Sequence, residues 1–149
     1  MKKRTRNIAL AAVGIFAVMQ LFPIEQTNPP SDPADDFITV ENPPEEIAGL
    51  MKNACYDCHS HHTEYPWYAG LQPVGWFMKN HFEEARGELN FSKWRQYNDE
   101  DKTHALEHMA EEVEETKMPL MSYWIMHPEA KLSGDKRQKL VDYFKSKIK

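Results

Sequence analysis

The chain has 149 residues, 41% hydrophobic and 28% charged, which suits one compact domain with a tail. Residues 1–24 hold Lys2, Lys3, Arg4 and Arg6 and no acid. The rest of the chain therefore sets 14 basic side chains against 23 acidic ones, a balance of −9 hidden behind the overall −5. A domain this acidic excludes nucleic acid as its natural partner, because phosphates reward the opposite sign, and it suits a basic partner protein.

In chain order, residues 1–24 form a signal peptide or transmembrane anchor. The basic run is followed by an apolar block from Ile8 to Phe22, the charge and hydropathy pattern of an export segment. The block is 15 residues, short of the ~20 that usually span a bilayer. No small-residue cleavage site follows it, since Met19-Gln20-Leu21-Phe22-Pro23 is bulky throughout. A retained anchor is favoured over a cleaved signal, with the basic end in the cytoplasm and the domain outside. Residues 25–44, rich in proline and polar groups, read as a semi-extended tether.

Residues 45–149 read as the domain proper. A helix starts after Pro43-Pro44, with Ile47, Leu50, Met51 and Ala54 on one apolar stripe. It runs into Cys55-Tyr56-Asp57-Cys58-His59. A second helical segment follows Pro73, carrying Trp76, Phe77 and Phe82. Asn98 and the acids after it cap a third helix, with Leu106, Met109 and Val113 inward. Ser133 caps a last one, with Leu140, Val141, Phe144 and Ile148 on one side. His61 and His62 fall in a polar loop and read as solvated. Nothing alternates as a strand does, so the fold class is all-α: a small helical domain.

Cys55, Cys58 and His59 form a C-x-x-C-H pentapeptide, the attachment signature of haem c. Two thiols three positions apart on one helical turn can each form a thioether to a vinyl group of one porphyrin. The next residue, His59, then offers its imidazole to the iron as proximal ligand. The chain holds no other cysteine, which favours one covalent haem over a redox or structural pair. Zinc is the competing reading, since Cys55, Cys58, His104 and His108 formally supply C-x-x-C and H-x-x-x-H. Their separation far exceeds the usual finger loop.

For the other side of the iron, Met118 is the leading distal ligand. Its thioether is a soft, neutral donor that raises the potential relative to a second imidazole. Pro119 stops helix continuation and holds the preceding residue extended, so the side chain is presented from a loop. Filling a core gap is the ordinary use of a methionine. Met121 competes with Met118, and so do His81, His104, His108 and His127; an open site is the last alternative.

These residues, with Pro66-Trp67-Tyr68, Pro73 with Trp76, Asn90-Phe91-Ser92 with Trp94, Met118-Pro119, His127-Pro128-Glu129-Ala130 and Leu132-Ser133, resemble the bacterial haem-binding domain family of cytochrome-c-like proteins. The resemblance runs from about Asn42 to the last helix. It implies a small cytochrome-c-like helical fold around one covalent haem, on the periplasmic side of the bacterial inner membrane, anchored or secreted to the periplasm. Cys55 and Cys58 are then the thioether residues, His59 the proximal ligand and Met118 the distal one. Glu84-Ala85-Arg86 departs from the pattern, which carries glycine in the middle. Two protein ligands leave no position for substrate, which suits single-electron transfer rather than catalysis. The alternative is a haem-based gas sensor or a peroxidase-like enzyme, in which the distal ligand is displaced.

Overall fold

The computed structural model describes residues 3–148; Lys2 of the basic run and Lys149 lie outside the described residues. Every regular element among the described residues is helical, as the sequence predicts. The chain divides into two compact units, Met1–Thr27 with Glu64–Glu84 and Asn28–Thr63 with Ala85–Lys149.

The first unit begins with helix α1 (Lys3–Met19), none of whose residues is buried. Its apolar side chains run all round the helix, so no single face selects a core. None of the described helices is long and apolar enough to cross a membrane. Past α1, Gln20 and Gln72 pair reciprocally: the Gln20 amide donates to the Gln72 carbonyl (3.0 Å), and Gln72 N–H donates to Gln20 Oε1 (2.9 Å). A 3₁₀ turn over Trp67–Gly70 leads to helix α5 (Val74–Glu88), whose residues up to Glu84 belong to this unit. Gly75 is required by close approach, because a Cβ there would lie 2.3 Å from the Ala69 carbonyl oxygen. Phe82 is buried, with Tyr65 edge-on to it at 5.8 Å. Trp76 and Phe77 of the same helix are exposed.

The second unit holds α2 (Phe37–Glu41), α3 (Glu45–Met51), α4 (Asp57–His59), α6 (Asp99–Glu114), α7 (Met121–Trp124) and α8 (Gly134–Lys147). Its core joins Leu106, Met109, Ala110 and Val113 of α6 to Leu140, Val141 and Phe144 of α8, and both to Ile47, Leu50 and Met51 of α3. The predicted stripes are therefore the buried ones. Asn98 caps α6, its Oδ1 accepting from Asp101 N–H at 2.8 Å, and three acids in the first turn offset the positive end of the helix dipole. Ser133 caps α8.

Two local features differ from the sequence expectation. The stretch read as extended contains α2, where the Asp36 carboxylate accepts from Ile38 N–H (2.9 Å) and Asn42 closes the helix in the left-handed region (φ 43°). A five-residue helix shows little periodicity; what holds it is Phe37, fully buried and edge-on to Trp94 (4.8 Å) and Phe91 (5.4 Å). His61 is buried rather than solvated. Its Nε2 accepts from the Asn90 amide (2.9 Å), its Nδ1 faces the Pro30 carbonyl (3.3 Å), and its backbone N–H donates to Ser92 Oγ (2.9 Å). Those partners lie about thirty residues away in sequence, beyond the reach of any local pattern.

Candidate functional site

Cys55, Cys58 and His59 lie on one continuous helical path: α3, a π turn over Lys52–Tyr56, and α4. The wider turn places an additional residue in the helix, a device common where a helix must aim functional side chains. It buries Ala54 and Tyr56 and leaves both cysteines half-buried. Tyr56 anchors the turn, its hydroxyl donating to Asp36 Oδ1 at 2.8 Å while its ring stacks on Phe91 (5.1 Å).

Both cysteines are free thiols. Burial, together with the neighbouring thiol, pushes Cys55 up to about 12. Burial, with the Asp57 carboxylate beside it, pushes Cys58 up to about 12. A redox pair needs a thiolate stabilised well below the ordinary thiol value. These thiols stay protonated at neutral pH, contrary to a dithiol catalyst.

His59 is held by the far end of α5. Its Nδ1 lies 3.1 Å from the Ala85 carbonyl oxygen and 3.2 Å from that of Leu89. Carbonyl oxygens only accept, so Nδ1 carries the proton and the Nε2 lone pair is left for a metal. Burial lowers the pKa of the ring and keeps it neutral. The Ala85 that departs from the family pattern contributes its carbonyl, which a side chain leaves unchanged. Arg86 fastens the chain just beyond the motif, donating to Ser60 O (2.8 Å) and Thr63 Oγ1 (2.7 Å).

Tyr123 of α7 donates to Asp57 Oδ2 at 2.6 Å, tying the segment after Met118 to the helix that bears the cysteines. Desolvation and the Asp57 carboxylate push its phenol above the ordinary range. His127 stacks on Tyr123 (4.5 Å, 17°) and lies 3.3 Å from Glu129, the arrangement of a supporting residue.

Met118 sits in the loop after α6. Thr116 turns through the left-handed region (φ 62°), and the N–H groups of Lys117 and Met118 both donate to Glu112 O at 3.0 Å. The Met118–Pro119 peptide is cis. From α8, the Arg137 guanidinium donates to the carbonyls of Val113 and Met118, the latter at 2.8 Å. The Met118 side chain is half-buried and packs on the core of its unit, as Cys55 does. Met121, by contrast, is 64% exposed. Sequence reasoning missed Arg137, because nothing local distinguishes it from the other basic residues of α8.

The remaining candidates are engaged elsewhere. His81 bonds the Phe77 carbonyl within its own helix (2.9 Å). His104 and His108 stack on each other along α6 (6.3 Å). No cluster of three or more potential metal-binding side chains occurs among the described residues, which gives the zinc reading no support. A groove of about 790 Å³ beside α6 is lined by charged groups, Glu41, Asp99, Glu100, Lys102 and Lys147 among them, and by none of the motif residues.

What the helix and loop supply fits haem. There is one neutral imidazole with its Nε2 lone pair available, two protonated thiols on the same helical path, and a thioether packed on the same core as Cys55. Leu120, Ile125 and Met126 follow in the same loop region with large apolar surfaces exposed. A family model described as the haem-binding domain matches residues 14–146. No curated protein and no solved structure matches the chain.

Proposed function

The chain belongs to the haem-binding domain family, and on that premise we propose that it is an exported monohaem cytochrome of the c type that passes single electrons. Cys55 and Cys58 would hold the haem through thioethers, His59 would bind the iron from the proximal side, and Met118 from the distal side. The bound haem supplies a one-electron ferric/ferrous couple. The protein's own residues do the rest. Ala85 and Leu89 fix the His59 tautomer and ring plane, Arg86 holds the chain just beyond the motif through Ser60 and Thr63, and Tyr123 holds the cysteine-bearing helix through Asp57. The observation that carries the reading is His59, neutral and with Nε2 free, one residue beyond two protonated thiols on a single helix.

The acidic balance of the domain supports a basic redox partner. The basic start and apolar run of residues 1–24 support a retained anchor on the periplasmic side of the inner membrane. Expression of the full chain with haem-attachment machinery tests the proposal. The expected product keeps one haem through denaturation and acid extraction, and Cys55→Ala with Cys58→Ala releases it. Haem extractable from the unaltered chain would overturn covalent attachment, and a ferrous protein that binds carbon monoxide at once would overturn the carrier.

A further inference from the structure

Residues 7–24 and 65–78 carry no charged side chain, in a chain that is 28% charged overall. The structure brings these two neutral stretches together in the first unit. The Gln20 side chain joins them twice, Oε1 accepting from Gln72 N–H and Nε2 donating to the Gln72 carbonyl, while Nε2 also donates to the Phe16 carbonyl of its own stretch. A second tie comes from Trp76 Nε1–H, which donates to the Phe22 carbonyl at 2.9 Å. Around that junction the surface is aromatic and open. Trp67 is 82% exposed, Phe77 54% and Trp76 39%, with Leu21, Phe22, Leu71 and Val74 exposed beside them.

A tryptophan this exposed is unusual on a water-facing surface, and a patch with no charge in it marks a surface meant to be covered. Tryptophan and tyrosine, with an apolar body and a polar edge, concentrate where acyl chains meet headgroups. The apolar run of α1 supplies a second reason. Its apolar part, residues 8–19, is 12 residues and at ~1.5 Å each reaches about 18 Å, against a hydrocarbon core of ~30 Å. A helix too short for the bilayer gains by drawing a flanking apolar surface into the interface. We propose that residues 67–77 form a lipid-interface platform at the exit of α1, seated in the acyl–headgroup boundary. This rests on the reading of α1 as a membrane anchor. The platform makes the first unit part of the membrane attachment rather than a domain swinging on a tether.

The test uses the full haem-loaded chain in vesicles of phosphatidylcholine and phosphatidylglycerol. A fraction of the phosphatidylcholine carries a diazirine near the glycerol end of its acyl chain. Light expels dinitrogen, the carbene inserts into the nearest bond, and mass spectrometry locates the adducts. Adducts in α1 and also within residues 67–77 are expected, with those at 67–77 lost in Trp67→Glu/Trp76→Glu while those in α1 persist. Adducts confined to α1 would overturn the platform, whether a second copy, a partner protein or haem covers it, and leave the anchor standing. Labelling of 67–77 only in haem-free Cys55→Ala/Cys58→Ala protein would assign the patch to haem and also overturn the platform. No adducts anywhere would overturn the anchor itself and the platform with it.

Discussion

The two sides from which the iron would be held are built by opposite means. The proximal side is one helical path, in which Cys55, Cys58 and His59 follow each other within five residues and the π turn aims them. The distal side is a loop held by remote contacts, with Arg137 of α8 gripping the Met118 carbonyl and Tyr123 of α7 reaching the Asp57 carboxylate. A covalent attachment has to present its groups in fixed register, which a helix does through local hydrogen bonds. A ligand that is not covalently attached only has to be held in reach, which a loop with a few strong ties provides. On the proposed ligation, the His59 side would set whether haem is held, and the Met118 side would set what the iron can bind and its potential.

The comparison can be broken most severely at His59. His59→Ala removes the proximal donor and is expected to abolish low-spin haem entirely, as read in the visible spectrum. Met118→Ala comes next: haem stays attached, the far-red sulfur-to-iron band disappears, and the ferrous protein binds carbon monoxide. Arg137→Gln tests the loop's ties. Leaving carbonyls of Val113 and Met118 without their donor is expected to cost about 1–3 kcal/mol, seen in urea unfolding, with exogenous imidazole displacing Met118 more readily. Tyr123→Phe should cost less, about 1 kcal/mol for one hydrogen bond, with haem retained.

A pH series on the haem-free chain sharpens the same contrast. Burial lowers the pKa of His59 and of His61 in the folded state, below the ~6.5 of an unfolded histidine. The unfolded chain therefore takes protons first as pH falls. The urea midpoint should hold steady between about pH 7 and 8 and decline as pH drops through about 6.5, because protonation favours the unfolded state. It should decline again above about pH 8.5, where the unfolded thiols ionise before the buried Cys55 and Cys58. His59→Gln and His61→Gln together should flatten the acid-side decline.

What the sequence made legible follows the same division. The stripe Ile47, Leu50, Met51 and Ala54 and the pentapeptide after it are local patterns, and the structure carries both on one helical path. Local too are the Asn98 and Ser133 caps and the inward faces of α6 and α8. The grip of Arg137 on the Met118 loop was not legible, since one basic residue among several on a basic helix has no periodic signature. The same holds for His61, whose partners Pro30, Asn90 and Ser92 come from distant segments, and for α2, which exists because Phe37 fits between Phe91 and Trp94. Trp76 and Phe77 sat on a helix that looked ordinary, and only the structure separates them from the buried Phe82. Hydrophobic pattern reports that a residue leaves water, whereas three-dimensional placement decides which surface receives it.

The most direct measurement is the visible spectrum of the haem-loaded full chain, ferric and ferrous, before and after carbon monoxide. It is recorded in parallel for Met118→Ala. Ligation by His59 and Met118 predicts a low-spin spectrum with a far-red band and no carbon monoxide response in the unaltered protein, and loss of both properties in the variant. Identical spectra for the two proteins, or a high-spin iron in the unaltered chain, would contradict it.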